Sequence, residues 1–371
     1  MEDLPLNKIH ILGWKSIKDT EVTLGKINIL IGANGAGKSN FLSVFDLLRA
    51  IANNNLKLYI EKNGGANSCF YYGTKNTKVI KLKMDIGNAY ISYEIHPGKD
   101  DTVILGWERY GRLNTPEENE NYYNRQNNSN NVNTEELSES NETYRNQTSK
   151  LNKEIDELKK WFTEIIPYHL NDTSDNSPLK QVCDTDENRY LFPDGANIAA
   201  VLYKIKNESP QHYEKIKFTI NLIFPEFKDF VFIKTDNYLK LRWQDENSID
   251  YTLPLSAFSD GTLRFTALSV LLNQPKLPKL IIIDEPELGL HPQAITVLSE
   301  MIKLASSKSQ ILISTQSVDF INCFESENIL IAENKKGETN ITISNEKELQ
   351  EWLKDYTLGE IWQKNLIGGN P

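Results

Sequence analysis

The residues best equipped for chemistry are Gly32-Ala33-Asn34-Gly35-Ala36-Gly37-Lys38-Ser39, with Asn40 directly after them. The spacing is a complete G-x-x-x-x-G-K-[ST], the pattern of a phosphate-binding loop. Its glycines let backbone N–H groups close around phosphate oxygens, and a following helix adds the positive end of its dipole. Lys38 is placed to reach the β- and γ-phosphates, and Ser39 to ligate Mg²⁺. A second element lies far along the chain. Leu280-Ile281-Ile282-Ile283-Asp284-Glu285 is an apolar run ending in two carboxylates. Asp284 is suited to hold Mg²⁺ through water, and Glu285 to orient or deprotonate an attacking water. A third element, Ser259-Asp260-Gly261, opens a helical pattern. It offers a hydroxyl, backbone N–H groups and a helix N-terminus, which a second anion contact needs. Ser and Gly cap many helices, so this element gains weight only from lying one helix upstream of Asp284.

These residues need elements to hold them. Ile27–Ile31 reads as a strand entering the loop, and residues 41–52 as the helix leaving it. Strand, glycine loop and helix together turn the pattern into a nucleotide site. Residues 7–12 and 21–31 read as two strands flanking Gly13–Ile17. Residues 78–84 and 89–95 alternate apolar and polar as half-buried strands do, and 102–108 adds a third. Lys78, Lys81 and Lys83 could line a basic stripe, although a solvated sheet face is the plainer reading. Helices are expected over 197–206 and 209–223, stopped by Pro225, and paired strands over 229–234 and 238–243. Next come helix 261–273, strand 280–283, helix 292–305, strands 310–313 and 329–332, and a short helix at 346–354. Such alternation argues for an α/β core, without an internal repeat.

The middle of the chain differs. Pro116 to Lys150 is rich in Asn, Glu and Ser. Its first half is expected to be mobile, because it buries too little to offset its ordering entropy. Leu137, Tyr144, Leu151, Leu158 and Ile165 recur every seven residues, with Ile155 and Phe162 between them. Two readings stay open: a coiled-coil stub, or an amphipathic helix packed on its own domain.

With 371 residues the chain has room for roughly two domains, or one with a large insertion. A net charge of −10 excludes a surface that is basic throughout, yet leaves room for a local DNA-binding groove. Cys69, Cys183 and Cys323 are scattered, as reduced thiols are. No secretion signal opens the sequence and no apolar run approaches membrane-spanning length, so a cytoplasmic location is expected. His10, His96, His169, His212 and His291 lack the spacing of a metal set.

Gly32–Ser39, Ser259-Asp260-Gly261, Asp284-Glu285-Pro286, Glu287-Leu288-Gly289-Leu290-His291-Pro292 and Ser314-Thr315-Gln316-Ser317 stand in the order of an ATP-binding-cassette ATPase. In detail the chain resembles the RecF/SMC-like branch, the prokaryotic AAA-type proteins related to OLD-family ATPases. The opening Gly13–Asp19, the closing Leu358-Gly359-Glu360-Ile361-Trp362 and the terminal Gly368-Gly369-Asn370-Pro371 resemble a subgroup of these. The likeness covers about 1–112 and 250–371, with short pieces such as Tyr168–Thr173 and Asp194–Asn197 between them. It implies an ABC-type P-loop core, a central mixed sheet flanked by helices, split into 1–113 and 250–371 by a mainly helical insertion at 114–249.

The resemblance also implies a mechanism. Two subunits would sandwich two ATPs with Mg²⁺. Asn34, Gly35, Ala36, Gly37, Lys38, Ser39 and Asn40 of one would hold the nucleotide, and Ser259 and Gly261 of the other would contact its γ-phosphate. Ser39 and Asp284 would serve the metal, and Glu285, Lys38 and Gln316 the hydrolysis. The loop Glu287–His291 would cross between the two sites. Three departures stand out. Gln316 replaces the usual switch His. Thr262 replaces the Gln of the signature. No Gln precedes Gln126, so the Gln that bridges Mg²⁺ and water is missing, with Phe70-Tyr71-Tyr72-Gly73 as the candidate for its loop. Slow turnover is expected.

In many relatives of the OLD type a TOPRIM nuclease follows the ATPase. The 55 residues after Gln316 are too few for one, so a nuclease partner would be a separate chain. The expectation is a homodimer or higher oligomer that regulates a separate, nuclease-like effector in anti-phage defence or genome maintenance. Three rivals stand beside it. They are a RecF-like repair ATPase that binds DNA without an effector, the ATPase subunit of a transporter, and a scaffold for which Glu285 is dispensable.

Overall fold

The computed structural model describes residues 5–113, 121–123, 157–344, 349 and 351–369. The polar stretch 116–150 and the heptad positions Leu137, Tyr144, Leu151 and Ile155 therefore lie outside the described residues, apart from residues 121–123. Numbered along the chain, the strands begin with β1 (Leu6–Trp14), β2 (Ile17–Thr23), β3 (Ile27–Ile31), β4 (Ile80–Ile86), β5 (Ala89–Pro97), β6 (Val103–Arg112) and β7 (Asn121–Tyr123). They continue with β8 (Ile165–Tyr168), β9 (Cys183–Asp184), β10 (Phe227–Thr235), β11 (Tyr238–Asp245), β12 (Ser248–Pro254), β13 (Leu280–Asp284), β14 (Gln310–Thr315), β15 (Ile329–Lys335) and β16 (Glu338–Ile343). The chain divides into two compact units. One comprises Met1–Ile165, Ile329–Asn345 and Ile367–Pro371, the other Ile166–Asn328 and Glu346–Leu366.

In the first unit an antiparallel sheet runs β2-β1-β4-β5-β6-β7. Its alternation is as expected: Ile80, Leu82, Met84 and Ile86 are buried while Lys81 and Lys83 point outward. The outward face is mixed in charge, because Lys81 pairs with Glu94 at 3.0 Å and Arg109 approaches the same carboxylate at 3.6 Å. That is the solvated face, not a basic stripe. β3 lies parallel to β15, and β15 antiparallel to β16. The single strand expected over 21–31 is two, β2 and β3. Gly25 turns the chain between them, held by the Asn28 side chain, which accepts from Gly25 N at 2.8 Å and donates to Gly25 O at 2.9 Å. β16 was not anticipated. It follows a tight turn with Lys336 and Gly337 both in the left-handed region, φ 56° and 83°.

In the second unit β13 and β14 are parallel, in register from Leu280–Gln310 to Asp284–Ser314, and β8 flanks β13 on its other side. β13 reads as an unbroken apolar run because it is covered on both faces. The helices Asp260–Leu272 and Pro292–Ala305 match expectation within two residues. So do the helices Ile198–Glu208 and Pro210–Ile223 and the hairpin β10–β11. The insertion, expected to be mainly helical, thus also carries strands. The heptad seam is shorter than it reads. Leu158 and Phe162 are buried in a helix over 157–163, but Ile165 opens β8. The expected helix 346–354 lies partly outside the described residues, with helical backbone at 349 and 351–352. A further helix, Leu358–Gln363, starts on a reciprocal cap between Thr357 and Glu360. No described helix is long and apolar enough to cross a membrane.

Candidate functional site

The phosphate loop in the first unit is shaped by two left-handed glycines. Gly35 (φ +78°) would carry a Cβ into open space. At Gly37 (φ +100°) a Cβ would lie 2.0 Å from Thr339 Oγ1, so only glycine fits. Asn34, Gly35 and Ser39 are exposed, while Ala36 is buried. Lys38 is only 6% exposed. Its ammonium donates to the carbonyls of Gly32 at 2.6 Å and Ala33 at 3.1 Å.

The loop is fastened by a directed chain of hydrogen bonds. The Asn40 amide donates to Ser16 Oγ at 2.6 Å. Thr339 Oγ1 donates to Ala36 O at 3.1 Å. Each hydroxyl has one proton, so Ser16 must be the donor in its 2.7 Å bond to Thr339. Trp14 Nε1 adds bonds of 3.1 Å to both Asn40 O and Ser43 Oγ. Asn40, expected among the nucleotide ligands, thus holds the loop through its amide. Alongside lies an open cleft of about 610 Å³ lined by Lys15, Ser16, Asn40, Phe70, Tyr72 and Gly337 among others. Burial pushes the Lys15 amine below its ordinary pKa.

In the second unit the carboxylates of 284–287 pair with the end of β14 and the residue after it. Ser314 donates to Asp284, Thr315 to Glu287 and Gln316 to Glu285. The backbone adds Glu285 N to Ser314 O at 2.9 Å. Glu285 sits in the left-handed region, φ 47°, a strained conformation for a residue with a side chain. Glu287 is 6% exposed. Burial pushes its carboxyl up to about 7, against the pull of the Thr315 hydrogen bond. Its Oε2 has no hydrogen-bond partner among the described residues.

Ser259 caps the helix Asp260–Leu272, accepting from Thr262 N at 3.1 Å and sharing a 2.8 Å bond with the Thr262 hydroxyl. Thr262, the departure from the usual signature, therefore steadies Ser259. A Cβ on Gly261 would lie 2.5 Å from Gly289 O, which brings the signature backbone against the Glu287–His291 loop. His291 is itself a cap: its Nδ1 accepts from Gln293 N at 3.4 Å at the start of Pro292–Ala305.

Two residues at this site carried no chemistry in the sequence reading. Asn171 follows β8 and donates to Asp284 O at 3.2 Å across 113 residues of chain. The buried Arg264 donates to Leu288 O and, at 3.0 Å, to Asn171 O. The one signal for Asn171 was its place in the matched piece Tyr168–Thr173. Phe70, Tyr72 and Gly73, from the candidate for the missing Gln loop, line the cleft beside Asn40.

A family model described as "AAA domain, putative AbiEii toxin, Type IV TA system" matches residues 27–86 and 113–322. The chain belongs to this AAA-domain family. Among solved structures, an Smc head bound to the C-winged helix domain of ScpA is 15% identical with a TM-score of 0.58, over 93% of this chain and 99% of that one. A Pyrococcus furiosus Smc head with an extended coiled coil, bound to the C-terminal domain of ScpA, is 14% identical with a TM-score of 0.54, covering 95% and 99%. A Pyrococcus yayanosii Smc head with a coiled coil and joint is 12% identical with a TM-score of 0.54, over the same shares. These likenesses show the fold, that of an ABC-type P-loop ATPase head. No match to a curated protein was found. The family match spans the phosphate loop, the Ser259–Gly261 cap, Asp284-Glu285 and Gln316 of this AAA-domain protein.

Proposed function

We propose that this AAA-domain protein binds ATP with Mg²⁺ and hydrolyses it slowly, as an ATP-bridged homodimer that regulates a separate effector. The observation that carries the reading is the pairing of Glu285 with Gln316 at the end of β13. A strained carboxylate held by an uncharged donor is suited to orient and accept a proton from water. Asn34–Ser39 would cradle the phosphates, with Lys38 leaving its own loop carbonyls for the β/γ-phosphates. Ser39 and Asp284 offer hard oxygens that suit Mg²⁺, and the metal would supply charge neutralisation at the phosphates. Ser259 and Gly261 would serve the partner subunit's nucleotide. In this scheme 1–113 and 250–371 form the catalytic core, and 114–249 is the insertion through which an effector is engaged.

Two similar Smc heads are bound to a domain of ScpA, which supports a second chain reading the nucleotide state here. A nuclease in prokaryotic anti-phage defence or genome maintenance is the effector class we put forward, on family analogy. The test is the solution mass of Glu285→Gln protein with and without ATP and Mg²⁺. A shift to a dimer or a multiple of it is expected. A persistent monomer that still binds ATP would overturn the ATP-bridged dimer.

A further inference from the structure

Arg264 projects from the second turn of the helix capped by Ser259 and is 6% exposed. Its guanidinium spans two backbone carbonyls from separate loops. One is Leu288 O, in the loop after Glu285. The other is Asn171 O at 3.0 Å, in the loop after β8. Asn171 in turn holds Asp284 O at 3.2 Å, and Gly289, next to Leu288, presses its carbonyl toward Gly261. The cap, the loop after Glu285 and the loop from the insertion thus meet on one side chain. Only a planar fork with several donors can bridge two carbonyls in this way; a lysine ammonium is a point charge without that geometry.

We propose that Arg264 is a positioning residue for hydrolysis, coupling the Ser259–Gly261 cap to Asp284 through Asn171, so that the insertion's loop is a working part of the site. Contact at the cap is thereby transmitted to the end of β13. The inference rests on the ATPase reading. Wild-type turnover, measured alongside, separates the two: a wild-type chain that binds ATP without turning it over sinks that reading, whereas wild-type turnover that survives the Arg264 changes sinks the positioning role.

The test compares Arg264→Lys, Arg264→Ala and Asn171→Ala with the wild-type chain in steady-state ATP hydrolysis, with folding checked by thermal melts. For Arg264→Lys and Arg264→Ala we expect kcat to fall about tenfold to a hundredfold, with KM nearly unchanged. Asn171→Ala should reproduce most of that loss, and combining it with Arg264→Ala should add little, because the two act as one unit. Millimolar guanidinium should restore part of the Arg264→Ala rate and none of the Asn171→Ala rate. Folded Arg264 variants with wild-type kcat, or losses at the two positions that simply multiply, would overturn the proposal. Should Arg264→Ala not fold, Arg264→Lys and Asn171→Ala decide it.

Discussion

The side-chain amide of Gln316 donates to the carboxylate of Glu285. An amide donates at any pH and takes up no proton, so it can aim this carboxylate without competing for the proton of water. Gln316→Ala should therefore leave nucleotide affinity intact and lower kcat by about tenfold. Single-turnover kinetics with bound ATP check this. An unchanged rate would mean that Glu285 is aimed by its backbone alone.

Gly37→Ala should disable the phosphate loop. The added methyl would meet Thr339 at 2.0 Å, and the backbone there is left-handed. A cost of about 1–3 kcal/mol is expected, with nucleotide binding weakened by more than about tenfold. Gly35→Ala, at a position with open space around it, should suffer only the backbone penalty. Binding titrations and melts of the two variants side by side separate crowding from conformation.

Gly261→Ala should act on the neighbouring loop as well as on any anion. Its methyl would meet Gly289 O at 2.5 Å, so the Glu287–His291 loop must shift. We expect lower kcat even in assays where the nucleotide sites are saturated, and a loss of about 1–3 kcal/mol in stability. A variant with normal stability and only weaker ATP-driven association would assign Gly261 to the ligand alone.

Glu287 links stability to pH. Its carboxyl is raised from 4.5 to about 7 in the folded chain. Between those values the folded state keeps a proton that the unfolded chain has released, so this contribution falls as pH rises. It is fully present below 4.5 and lost above about 7. Glu287→Gln keeps an acceptor for Thr315 and cannot ionise. It should gain up to about 3 kcal/mol relative to the wild-type chain at pH 8, and little at pH 4.5. Urea denaturation at the two pH values measures the difference.

Much of this was legible from local pattern. The phosphate loop, β13 with its two carboxylates, and the helix after Ser259 each announce themselves within about ten residues, because one segment carries both periodicity and punctuation. What escaped depends on partners distant in sequence. Asn171 is an ordinary loop residue until β8 brings it to Asp284. β8 itself hid behind Trp161-Phe162-Thr163-Glu164, where a heptad position at Ile165 suited helix and strand equally well. The break at Gly25 was masked because Asn28, which closes the turn, sits inside the next strand. Arg264 lies on an almost wholly buried helix, where a charged residue is the anomaly that could have marked it.

The fastening of the phosphate loop sets an order on how the protein is made. Thr339 reaches back 303 residues to Ala36 and 323 to Ser16. The loop therefore leaves the ribosome 303 residues ahead of its clasp. At about 5–20 residues per second the wait is on the order of tens of seconds. Throughout that interval residues 32–39 lack the strand that gives Gly37 its place. A nascent chain therefore carries its phosphate loop unclasped until β16 has been made, and a chain whose synthesis stops short of β16 keeps it so.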